Sequence, residues 1–179
     1  MQRWQIGALA ALVWAVPARA QEAHSPYAHE GSRELKTLSQ AEVDELVNGE
    51  GMGLARPAEL NRHPGPRHVI DLADSLGLSA EQLSAAERIF ADMKGRAREL
   101  GREILDAEKA LDAAFAAGNV TEDALAASVK GIAELQGELR LTHLRAHLAM
   151  RQLLTEDQIR AYDRLRGYAS EHEHSAGGI

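Results

Sequence analysis

From Leu83 onward the apolar residues fall at alternating steps of three and four: Leu83, Ala86, Phe90, Met93, Ala97, Leu100, Ile104, Ala107, Leu111 and Ala114. That spacing returns each side chain to one face of a helix, so the segment predicts a single long amphipathic helix. Gly118 and Asn119 supply a helix stop, Thr121 a cap, and Glu122 and Asp123 negative charge at the positive end of the next helix. In the second run Leu125, Ile132, Leu139, Ala146 and Leu153 recur every seven residues. At about 1.5 Å per residue the two helices would span roughly 50 to 60 Å, and so short a turn forces them antiparallel. The expected fold class is all-α: a long antiparallel helical hairpin with short flanking helices. Neither helix holds its length alone in water, so each needs the other's apolar face and a partner chain's.

The flanks differ in composition. Arg3 is a positive leader, Ile6 to Val16 an apolar core and Ala18-Arg19-Ala20 a small-x-small site, which together predict a cleaved export signal over 1–20. The apolar stretch is too short for a span of about 20 residues. Residues 21–67 form a Gly/Pro/His-rich arm with one short helix capped at Ser39. A second short helix is expected from Arg67 to Leu76, ended by Gly77. Residues 68–168 carry the hairpin domain and 169–179 a His/Glu tail. There is no cysteine, so disulfides and thiolate sites are excluded. A net charge of −7 without a basic run argues against nucleic acid as a partner. An exported, acidic, disulfide-free product fits a bacterial periplasm.

One local pattern occurs three times: Leu38-Ser-Gln-Ala-Glu-Val43, Leu78-Ser-Ala-Glu-Gln-Leu83 and Leu154-Thr-Glu-Asp-Gln-Ile159. Ser39, Ser79 or Thr155 can cap a helix while Glu42, Gln82 or Gln158 reaches back to the cap's own N–H, and the preceding leucine packs on the fourth helical residue. Loss of one such cap costs about 1 kcal/mol, which accounts for these motifs as folding devices.

Leu154-Thr155-x-x-Gln158 matches the LTxxQ motif of the Spy/CpxP superfamily of periplasmic helical-hairpin proteins, and Leu78-Ser79-x-x-Gln82 is a near match at the expected earlier position. Met150-Arg151 and Tyr162-Asp163-Arg164 resemble the end of its heavy-metal resistance and sensor branch, the CnrX-like and ZraP-like proteins. The resemblance covers residues 69–168. It implies a dimeric hairpin acting as an ATP-independent chaperone, an envelope-stress regulator or a sensor of zinc, nickel, cobalt or copper. Two features depart from it. The nickel and cobalt sensors use a His-x3-Met pair on the second long helix, and aligned on Met150 that histidine is Ala146 here. The chaperones' basic client cradle is at odds with an acidic chain.

The chain offers histidines of its own. His143 and His147 stand one turn apart on one helix face, and Met150 continues the stripe. Imidazole suits zinc, copper and nickel, and a thioether favours copper(I). Leu144 follows His143 where a zinc protease would carry its glutamate, so hydrolysis is unsupported. With the turn centred near Asn119, Met93 and Gly95 fall opposite Arg145 and His143, and Met93 would complete a cluster. The alternative is that Met93 and Met150 fill core gaps while the histidines flank the seam. His24, His29, His172 and His174 near the ends are further, weaker candidates for metal, or solvated termini. His63 and His68, in a turn-rich block, are within reach of the stripe. Leu141, Leu144 and Leu148 form a second apolar line on the second long helix, expected to serve a homodimer, with unfolded clients as the rival use. Gly101 and Gly137 are expected to face each other, marking a close approach or a bend.

Nucleophile motifs, phosphate loops and paired carboxylates do not rise above chance, so no enzymatic function is supported. Two classes stay open: a periplasmic metal-binding stress or resistance protein, as sensor or buffer, and a holdase or envelope-stress regulator without metal, either with an inner-membrane regulatory partner.

Overall fold

The computed structural model describes residues 25, 27–28, 30–31, 33 and 35–168. The predicted signal over 1–20, His24, His29 and the tail with His172 and His174 lie outside them. The described residues before Arg33 belong to one unit and those from Arg33 on to another. In the first, Ala28 N–H donates to Ser25 O and Glu30 N–H to Tyr27 O, two successive turns.

The second unit is all-α among the described residues: α1 (Gln40–Asn48), α2 (Arg56–Glu59), α3 (Pro66–Asp71), α4 (Ala73–Leu76), α5 (Ala80–Ala116), α6 (Glu122–Leu153) and α7 (Glu156–Leu165). All three expected capping boxes form, at Ser39, Ser79 and Thr155, and Thr121 caps α6. The apolar stripes of α5 and α6 pack on each other. Gln82 Nε2 at the start of α5 donates to Leu153 O at the end of α6. Near the connecting turn Ala107 and Ala110 share a groove with Ala127, Ser128 and Gly131, so the chain returns alongside itself.

The two motif glutamines do more than cap. Gln82 Nε2 donates to Gln158 Oε1 and Gln158 Nε2 to Gln82 Oε1, both at 2.9 Å, while each amide oxygen also accepts from its own cap residue's N–H. The reciprocal pair ties the start of α7 to the start of α5.

Two apolar cores result. The first joins Leu35 and Leu46 to Ala97, Leu100, Ile104, Leu105 and Leu139. The second gathers Val69, Leu76, Ala86, Met150, Leu154, Ile159 and Tyr162. Between them, α5 carries Phe90 and Met93 and α6 carries His143 and His147. The two long helices thus run through both cores, with a polar interval in the seam.

Two expectations need correction. The single helix expected over 67–76 is divided at Leu72 (φ −105°, ψ 13°) into α3 and α4. Ile70 and Leu72 both pack on the second core, and a straight helix would point them about 200° apart. Gly101 and Gly137 do not face each other. A Cβ on Gly101 would lie 2.8 Å from the Leu46 carbonyl carbon, whereas one on Gly137 would meet nothing within 4 Å. The bare backbone at Gly101 seats α1, an element whose partner no periodicity names.

Candidate functional site

The arm from Gly49 to His68 arches over the polar interval. Gly49 ends α1 in the left-handed conformation (φ 64°) and packs on Lys94 O and Arg98. Met52 (φ 47°), Gly53 (φ 73°) and Arg62 (φ 62°) take the backbone through further left-handed turns on either side of α2. The arm and the helices line an open cavity of about 670 Å³, whose wall includes Glu59, Gly65, His68, Met93, His143 and His147.

Both helix histidines are nearly buried, His143 at 3% and His147 at 8% exposure. His147 Nδ1 lies 2.7 Å from the His63 carbonyl oxygen. A carbonyl only accepts, so Nδ1 carries a proton and donates, which leaves Nε2 as the nitrogen that can offer a lone pair. The Glu50 backbone beside His143 favours its protonated form. The His143 Nε2 is buried with no hydrogen-bond partner. Burial, and then the neighbouring His147, hold the His143 pKa below the ordinary 6.5, so the ring is neutral at pH 7.

Two buried imidazoles one turn apart, His147 donating Nδ1 to a backbone carbonyl as metal-ligating histidines commonly do and His143 with its Nε2 unpartnered, line one cavity. Gly65 contributes by its lack of a side chain. A Cβ there would crowd His147 Cε1 at 3.0 Å and Nε2 at 3.3 Å. The residues therefore fit a transition metal, with His143 and His147 as the nitrogen ligands and Met93 as a soft donor in the same wall. Among the described residues no group of three or more His, Asp and Glu is placed to hold a metal ion.

A polar knot closes one side. Tyr162 OH donates to Glu59 Oε1 at 2.5 Å and Tyr168 OH to the same oxygen at 3.1 Å. Glu59 Oε2 lies 3.6 Å from His147 Nδ1, and Arg166 Nε 3.7 Å from Oε1. Burial, and then the bond to Glu59, push the Tyr162 pKa far above 10, so the phenol keeps its proton. Arg62 Nε donates to the buried Asp163 at 2.9 Å. The arm is thereby fastened to α7 and the segment after it.

The sequence-predicted residues fare differently. Met93, His143, His147 and His68 line the same cavity. His63 takes part through its backbone, while its own Nδ1 pairs with Asn61 O at 2.7 Å. Met150 is fully buried in the second core, apart from the cavity wall. Leu141 and Leu144 are half-buried and Leu148 is 52% exposed. Sequence reasoning missed Glu59 and Gly65. The one signal available was the Pro/Gly spacing after Glu59, which marks turns that bring residues distant in sequence onto the helices.

No curated protein and no solved structure matches the chain. The family described as heavy-metal resistance matches residues 51–161, a span that holds Glu59, Gly65, Met93, His143 and His147 and stops just before Tyr162. Covering more than half of the chain, that match places the protein in the heavy-metal resistance family, in its Spy/CpxP-like branch.

Proposed function

We propose that this chain is an exported heavy-metal resistance protein that holds a transition metal on His143 and His147, as a periplasmic sensor or buffer. The observation that carries the reading is the buried His143 Nε2 without a partner, one helical turn from a second buried histidine whose Nδ1 is held by the His63 carbonyl. A buried polar atom left unpaired costs about 1–3 kcal/mol, a cost that coordination would recover. The family's heavy-metal role supports it. In this reading the unit is a helical hairpin, residues 68–168 its core domain and 1–20 a removed signal, and two copies pair along Leu141, Leu144 and Leu148. A metal-dependent signal would then pass to an inner-membrane partner through the arm.

The test is calorimetric titration of Zn(II), Ni(II) and Cu(II) into residues 21–179 carrying His172→Ala and His174→Ala, with His143→Ala/His147→Ala alongside. One saturable site lost in the double variant is expected. Undiminished binding in that variant would remove the function from this cavity.

A second reading, an ATP-independent holdase, draws on the exposed apolar residues Val47, Leu60 and Leu148. It predicts that the chain suppresses aggregation of an unfolded client without metal, and that Leu148→Glu weakens this.

A further inference from the structure

The imidazole pair accounts for only part of the cavity. Zinc in a closed site takes four ligands, and the wall offers two imidazole nitrogens and one thioether. Glu59 lines the same wall, and its Oε1 already accepts from Tyr162 and Tyr168. At about 670 Å³ the space falls in the range of small-molecule pockets, about 300–1,000 Å³, and a bare ion would fill little of it.

Charge in that space runs against the rest of the molecule. The chain carries −7 overall, yet Arg56, Arg67, Lys94 and Arg166 line the cavity against Glu50 and Glu59 alone. Arg67 is committed to Asp71 at 3.0 Å, and Arg166 faces Glu59 and Tyr168. Among the described residues neither Arg56 nor Lys94 is paired with a carboxylate. Lys94 Nζ stands 5.7 Å from the Phe90 ring centre, and that ring gives the wall an apolar plate. Unpaired cations beside an apolar surface and two nitrogen ligands suit a molecule with anionic oxygens on a short carbon frame.

We propose that the cavity takes its metal together with a small polycarboxylate: the histidines bind the metal, Arg56 and Lys94 hold the carboxylates, and carboxylate oxygens complete the coordination. This deepens the metal-binding reading and rests on it.

Equilibrium dialysis of residues 21–179 carrying His172→Ala and His174→Ala tests it, with labelled citrate as the probe, with and without Zn(II). Zinc alone, titrated into each variant, reports the imidazole pair separately, and circular dichroism reports the fold. Citrate should be retained one-to-one with zinc and not without it. Retention should vanish in His143→Ala/His147→Ala and weaken at least about a hundredfold in Arg56→Gln/Lys94→Gln, about tenfold or more for each charged hydrogen bond lost. Zinc bound while citrate merely strips it away would overturn the proposal and leave the metal reading standing. Equal citrate retention without zinc, or in Arg56→Gln/Lys94→Gln, would overturn it as well. Failure to retain zinc under any condition would remove both.

Discussion

Replacing Gly101 with alanine tests how α1 is seated. In an open helix the change stabilises by about 1 kcal/mol. Here the added Cβ would stand 2.8 Å from the Leu46 carbonyl carbon and 3.3 Å from its Cα, against backbone that cannot rotate aside. The Leu46 carbonyl oxygen lies closer still, so restoring an ordinary separation moves the end of α1 by about 1 Å or more, and a gap of that size forfeits about half or more of each dispersion contact. Leu35 and Leu46, 5% and 4% exposed, lie at that contact. Full burial of a leucine is worth about 1.5–3 kcal/mol. Over the two leucines the loss is therefore about 2–3 kcal/mol, which exceeds the helical gain of about 1, so Gly101→Ala should be destabilised by about 1–2 kcal/mol. Gly137→Ala, with open space around it, should be stabilised by about 1 kcal/mol. Urea denaturation followed by circular dichroism measures both, and the opposite signs are the test. A Gly101→Ala chain at least as stable as its parent would mean that α1 does not lie on α5 as described.

Three further outcomes follow from the same contacts. Gln82→Ala and Gln158→Ala should each cost about 1–2 kcal/mol, and the double variant less than their sum, because the second change removes a partner already lost; additive effects in a denaturation cycle would dissolve the reciprocal pair. Tyr162→Phe should cost about 1–2 kcal/mol by leaving the Gly65 N–H without a partner and Glu59 Oε1 with the Tyr168 hydroxyl alone, and a chain unchanged in urea would show that the knot carries no stability. His143 has its folded pKa depressed by burial, so the unfolded chain binds the extra proton. Its stabilising contribution is full above the unfolded value of about 6.5 and is lost as pH falls below it toward the folded pKa; melting curves should drop between pH 7 and 5.5 and flatten in His143→Gln, and an equal drop in that variant would contradict the sign.

Local pattern carried much of the architecture. The capping boxes at Ser39, Ser79 and Thr155 marked three helix starts, because a cap and its reciprocal partner sit within four residues and need no tertiary context. The seven-residue recurrence in α6 marked its buried line, and numbering the turn placed Met93 near the histidines. Contacts over long separations were another matter. Glu59 meets Tyr162 and Tyr168 only because Met52, Gly53 and Arg62 turn the arm through left-handed conformations, and non-glycine residues adopt these without a sequence mark. Met150 continued the histidine stripe by number, but its rotation about α6 carries it into the second core. Gly101 was legible as a close approach; which backbone approaches it was not.

The central claim is that His143 and His147 present paired Nε2 lone pairs to one metal. Long-range proton–nitrogen correlation spectra of the imidazoles read this directly. Without metal at pH 7 both rings should show the Nδ1-protonated tautomer, and one equivalent of Zn(II) should shift the Nε2 resonance of both together. An Nε2-protonated ring at either position, or zinc that moves the terminal histidines and leaves these two unchanged, would contradict it.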